Sequence, residues 1–147
     1  MHRIMLALLT LVLIACGTTS TIPVVTPKPD IVVPPYAEIA KNASDMTEAQ
    51  WKVYSASLVG GQFLNWTGWI VDVETGRDGI FLVKMALEPP GTPLRTYKVT
   101  FNLAESQAIS LNKNQRVIFN GTIVSVENPL GECYIKASGV TITLATD

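Results

Sequence analysis

From residue 47 onward, apolar and polar residues alternate in two different rhythms. Thr47-Glu48-Ala49-Gln50 fits a capping box, with Thr47 as N-cap and Gln50 three residues on. Trp51, Tyr54 and Leu58 follow at spacings of three and four, the stripe of a helix packed on a core, and Val59-Gly60-Gly61 ends it. After Gly61 the period shortens to two. Gln62 to Glu74, Gly79 to Leu87, Arg95 to Leu103, Gln115 to Glu127 and Glu132 to Leu144 alternate and are rich in β-branched or aromatic residues, which predicts five strands. Turn formers separate most of them: Thr75-Gly76-Arg77-Asp78, the Pro-rich stretch Glu88 to Leu94, and Asn128-Pro129-Leu130-Gly131. The link from Ala104 to Leu111 has neither Gly nor Pro and predicts a short helix between the third and fourth strands.

Two of the strands echo each other. Leu64 to Glu74 aligns with Val117 to Glu127 at an offset of 53 residues, with Gly, Ile, Val, Val and Glu matching. In each copy Leu64/Val117, Trp66/Phe119 and Ile70/Ile123 share one face, while Val73/Val126 fall on the other parity. A β-bulge would turn the late valine inward. Gly68 and Gly121, in mid-strand, fit tight bends at a barrel corner. The last strand slips in the same way around Gly139, with Ile135 and Ala137 before it and Val140, Ile142 and Leu144 after. Five strongly bent strands with a helix between the third and fourth predict an all-β fold with minor α content, a five-stranded OB-fold barrel.

Upstream, the pattern changes twice. Ile4 to Ala15 is an apolar run of twelve residues broken only by Thr10, preceded by Arg3. It is too short to span a bilayer, which takes about 20 residues, and has the layout of a secretory signal. Its end, Leu13-Ile14-Ala15-Cys16-Gly17, resembles the lipobox of bacterial lipoprotein signals, in which the cysteine is lipidated and becomes the first mature residue. That resemblance implies removal of residues 1–15, a lipid on Cys16, and a domain outside the cytoplasm. Gly17 in place of Asp resembles lipoproteins sorted to the outer membrane of a two-membrane bacterium. Residues 16–45 then read as a spacer: Gly17 to Thr21 is small and polar, and Pro23, Pro27, Pro29, Pro34 and Pro35 favour extended chain. Val24-Val25 and Ile31-Val32-Val33 leave room for partial docking on the domain, which is expected to occupy residues 46–147.

The stretches Thr47-Glu48-Ala49-Gln50-Trp51, Trp66-Thr67-Gly68-Trp69-Ile70 and Phe119-Asn120-Gly121-Thr122-Ile123 together resemble a group of bacterial OB-fold domains related to the tRNA-anticodon-binding type, over residues 46–145. The resemblance implies the barrel and carries no chemistry. The family name implies nucleic-acid contact, whereas its exported members look like general ligand or partner modules; fold alone does not assign function.

Composition narrows the chemistry. The chain has 147 residues, 48% hydrophobic and 16% charged, with a net charge of −1, a pI near 5.8 and a mean hydropathy of +0.30. This gives room for one domain and no basic footprint for nucleic acid. Loss of residues 1–15 takes away Arg3 and His2, the only histidine, so no His-based triad and no His ligand for a metal remain. Cys133 becomes the one unmodified thiol and reads as a small buried hydrophobe. Asp72, Glu74 and Asp78 are an acidic group that could take calcium, although without EF-hand spacing. No cofactor motif is present, and no carboxylate pair stands out for catalysis.

OB-folds bind mainly over strands two and three, with aromatics for stacking and a basic groove for nucleic acid. Alternation puts Phe81, Val83, Met85, Tyr97, Val99, Phe101 and Leu103 inside, leaving Ile80, Leu82, Lys84, Lys98, Thr100 and Asn102 outside. Lys84, Lys98, Thr100 and Asn102, with Trp69 and Tyr134 on neighbouring strands, therefore form the candidate ligand face. Two lysines without an outward aromatic on those strands make a poor stacking surface, which disfavours nucleic acid. The reading is a non-enzymatic binding module for a protein or small ligand, with an envelope scaffold as the competing class.

Overall fold

The computed structural model describes residues 31–93 and 95–145, so the signal segment, Cys16 and the first part of the predicted spacer lie outside the described residues. Two helices, α1 (Tyr36–Asp45) and α2 (Glu48–Leu58), precede five strands: β1 (Gln62–Thr75), β2 (Ile80–Ala86), β3 (Val99–Ala104), β4 (Arg116–Glu127) and β5 (Tyr134–Leu144). A four-residue helix, α3 (Glu105–Ala108), joins β3 to β4, and a 3-10 turn (Pro129–Gly131) joins β4 to β5. The strands close in the order β1-β2-β3-β5-β4, antiparallel throughout except for β3 and β5, which run parallel. This is an all-β, OB-like barrel. Among the described residues no helix is long and apolar enough to cross a membrane.

The expected bulges are present. The β1–β2 register shifts between Ile70 and Asp72, and the β4–β5 register shifts between Ile123 and Ser125. Each shift lets the following valine, Val73 or Val126, pack against the core. Gly68 and Gly121 sit where no side chain fits: a Cβ on Gly121 would lie 2.7 Å from the Phe63 ring, and one on Gly68 would lie 2.9 Å from the Ala86 carbonyl oxygen. Both glycines let the barrel wall close over its contents.

The interior is aromatic at its centre. Phe63 stacks on Trp66 with centroids 4.6 Å apart, Phe119 meets Phe63 edge-on at 5.4 Å, and Phe101 lies 6.2 Å from Phe119. Each fully buried ring contributes about 1.5–3 kcal/mol by leaving water. Leu64, Leu144 and Tyr97, expected inside, are outside. Leu64 is 50% exposed and Phe63 takes its place, because Asn65 adopts φ 56° and the β1–β4 register shifts between Phe63 and Trp66. Asn is among the few residues that tolerate this conformation, and the Asn65 backbone N–H donates to the Asn120 side-chain oxygen at 2.6 Å. Leu144, the last residue of β5, is exposed where the strand runs out.

The boundary expected at residue 45 is also corrected. Val33 donates its N–H to the Gln62 carbonyl at 2.8 Å, and Gln62 donates to the Ile31 carbonyl at 2.7 Å, so Ile31 to Val33 runs as a short parallel addition to β1. Helix α1 follows, with Pro35 as N-cap, and buries Ile39 and Ala43 in the barrel core. Tyr36 packs edge-on against Trp66 and donates its hydroxyl to the Cys133 carbonyl at 2.8 Å, while Asn128 donates to the Ala43 carbonyl at 3.0 Å. Residues 31–45 therefore belong to the domain. α2 begins with the expected capping box, complete in both directions, and contributes Leu58 to the core with Trp51 and Tyr54 half-buried against it.

Candidate functional site

The outer face of the barrel brings polar side chains from four strands into line. Lys84 on β2 lies opposite Thr100 on β3, Thr100 opposite Lys136 on β5, and Lys136 opposite Ser125 on β4. Beyond this row, towards the end of the barrel where β3 and β5 begin, a cavity of about 310 Å³ opens, lined by Tyr97, Lys98, Tyr134, Glu127 and Pro129 together with Thr100, Ser125 and Lys136.

Tyr97 corrects the sequence expectation. It is 38% exposed and meets Tyr134 edge-on at 5.7 Å on the outer face. Strict alternation counted back from Val99 points it inward, but β3 starts only at Val99. Just before it, the Lys98 backbone donates to Met85 at 2.7 Å and accepts from Ile135 at 2.8 Å. Outside the ladder, the two-residue period does not bind.

Each tyrosine is matched with one lysine and one glutamate. Lys84 lies 5.4 Å from the Tyr97 ring centroid and pairs with Glu74; Lys98 lies 5.2 Å from the Tyr134 ring and pairs with Glu132 at 3.0 Å. The Tyr134 hydroxyl also donates to Glu132, at 2.5 Å. Hydrogen bonds from Tyr134 and Lys98 hold the Glu132 carboxyl below the usual carboxylate range, and the same bond raises the Tyr134 hydroxyl. The bond to Glu74 raises Lys84. Lys136 and Glu127 make no ion pair among the described residues.

Of the six side chains expected on the ligand face, Lys98, Thr100 and Tyr134 line the cavity, and Lys84 adjoins it through Tyr97. Asn102 lies farther along β3, opposite Leu82, and does not line it. Trp69 is half-buried on β1 between Ala86 and Arg116, away from the groove. Tyr97, Ser125, Glu127 and Lys136 complete the site. Counted on from Ile123, strict alternation turns Ser125 and Glu127 inward; the register shift between Ile123 and Ser125 turns them outward, and the β3–β5 closure brings them and Lys136 to Thr100.

The acidic group separates. Glu74 is engaged by Lys84, the Asp72 carboxylate accepts from the Val73 amide at 3.0 Å, and Asp78 occupies a left-handed turn position at φ 58°. Among the described residues no three His, Cys, Asp or Glu side chains are grouped to hold a metal. Cys133 is buried, and burial pushes its thiol from the ordinary 9.0 up to about 11, so the reactive thiolate is suppressed. Burial likewise raises the Tyr36 hydroxyl well above its ordinary range.

No protein-family model and no curated protein matches the chain. Among solved structures it is similar to a candidate nucleic acid-binding lipoprotein from Klebsiella pneumoniae subsp. pneumoniae, at 18% identity and a TM-score of 0.44, over 72% of this chain and 82% of that one. It is also similar to OBody AM3L15, solved bound to hen egg-white lysozyme, at 16% identity and a TM-score of 0.39, over 61% of this chain and 82% of that one.

Proposed function

We propose that the protein is a non-enzymatic binding module, held on the outer face of a bacterial membrane by a lipid on Cys16, that takes a ligand or protein partner in the groove between β3, β5 and β4. The observation that carries this reading is the groove itself: two outward tyrosines, two hydroxyls and two charges of opposite sign, neither in an ion pair among the described residues, gather on one face of a closed barrel. Binding sites commonly combine apolar rings with a few convergent polar groups. Catalysis has less support, since the mature chain would hold no histidine and its one remaining thiol is buried and protonated.

A photo-crosslinking residue at Thr100, in the full chain expressed in its own envelope, tests the face; labelling concentrated there and displaced by Lys136→Glu supports it, and labelling no stronger than at Asn102 sinks it. Metabolic fatty-acid labelling tests the anchor, with label expected on the wild type and lost in Cys16→Ser. The scaffold alternative predicts a stoichiometric protein adduct at Thr100 that persists through purification.

Single-stranded nucleic acid is a second reading, favoured by the outward Tyr97, because bases stack on exposed aromatics. Against it, Lys84 and Lys98 are each neutralised by a glutamate. Binding that weakens steeply with added salt would support it.

A further inference from the structure

The groove carries two charges that no ion pair among the described residues uses. Lys136 on β5 and Glu127 on β4 both line it, both are exposed, and neither has an ion-pair partner among the described residues. The other charges nearby, Lys98 and Glu132, are already joined to each other. The hydroxyls of Thr100 and Ser125 flank Lys136 on the two adjacent strands, by register. An ammonium between two hydroxyls is a set of donors suited to a carboxylate, and Glu127 can only accept.

We propose that the groove takes a zwitterion of dipeptide size, its carboxylate at Lys136, Thr100 and Ser125 and its ammonium at Glu127; this rests on the groove being the binding face. The spacing selects the size. Ser125, beside Lys136, and Glu127 are two residues apart on one strand, about 6.8 Å at about 3.4 Å per residue. Two residues of extended chain span about 6.6–7.2 Å, whereas a free amino acid carries both charges on one residue and reaches only one of the two positions. The cavity volume of about 310 Å³ lies at the small end of the range for ligand sites, about 300–1,000 Å³. The rings of Tyr97 and Tyr134 and the face of Pro129 offer an apolar wall for a side chain of the ligand. A polyanion would meet the unpaired Glu127 carboxylate as repulsion, so the same arrangement selects against a phosphate chain.

The test uses the full chain in detergent, titrated with alanyl-tyrosine and followed by amide chemical shifts. N-acetyl-alanyl-tyrosine lacks the ammonium, alanyl-tyrosine amide lacks the carboxylate, and free tyrosine carries both charges on one residue. Each of the three should bind about three- to five-fold more weakly, the effect of losing one exposed ion pair. Lys136→Glu should reverse the preference between the free and amidated carboxyl end. Glu127→Lys should reverse it between the free and acetylated amino end. Both side chains are exposed, so the fold tolerates the changes. Equal binding of all four probes, shifts centred elsewhere, or no binding at millimolar concentration overturns the proposal. No binding together with crosslinking at Thr100 overturns the ligand class and leaves the binding face standing; no crosslinking at Thr100 overturns both.

Discussion

Helices α1 and α2 follow one another in the chain, differ by one residue in length, and relate to the barrel in opposite ways. α2 carries the complete start signal, a capping box built by Thr47 and Gln50, yet only Leu58 of its residues is fully buried and Val53 is 74% exposed. α1 has no side-chain cap and begins behind two prolines, yet Ile39 is wholly buried and Tyr36, Ala40 and Ala43 pack on the core. Capping satisfies the first free amides of a helix and so decides whether it forms in isolation. Burial is decided by what the barrel end leaves open, and that is a property of the closed sheet.

The two helices differ most at Ile39, which is wholly buried. Ile39→Ala should destabilise the domain by about 2–5 kcal/mol in denaturant unfolding, the cost of a cavity in a closed core. A loss within the range of a surface change would mean that α1 is an ornament. A pH slope comes next. Because the folded Cys133 thiol titrates near 11 and the unfolded one near 9.0, the folded state holds the proton more tightly between those values. That contribution is fully present below about pH 9 and is lost as pH rises towards 11, so stability should fall over that window. Cys133→Ala should flatten this part of the slope, read by unfolding at several pH values. Thr47→Ala, which removes the α2 cap, should cost about 1 kcal/mol. Val53→Ser, on the exposed face of α2, should stay within about 0.5 kcal/mol of wild type in the same assay. A large effect at Val53 with a small one at Ile39 would invert the comparison.

Most of the barrel was legible because it repeats one rule. Alternation located all five strands, and the parity slip between Ile70 and Val73, echoed at Ile123 and Val126, pointed to bulges that are present in β1 and β4. The rule fails where the ladder stops. Leu64 and Tyr97 were misplaced because a left-handed Asn65 and the pre-strand segment before Val99 sit outside regular pairing. α1 was legible in part: Tyr36, Ile39, Ala40 and Ala43 have helical spacing, but Pro34-Pro35 suggested continued extended chain. Proline at a helix start costs nothing, since the amide it lacks would be free there anyway. The groove was half legible. Lys98, Thr100 and Tyr134 follow from outward parity, whereas Lys136, Ser125 and Glu127 join them only because β5 runs parallel to β3 and carries β4 with it.

The docking of Ile31 on β1 also sets the length of a leash. With the proposed lipid on Cys16, about fourteen residues, 17–30, separate the bilayer from the barrel, a reach of about 43 Å at about 3.1 Å per residue. A spacer running to residue 45 would have had twice that. Ile31, the first described residue, sits beside the start of β1, and the groove opens at the same end of the barrel, where β3 and β5 begin and β4 ends. The binding face would then work within a thin layer above the membrane, meeting what collects at that surface before what diffuses in the space beyond it.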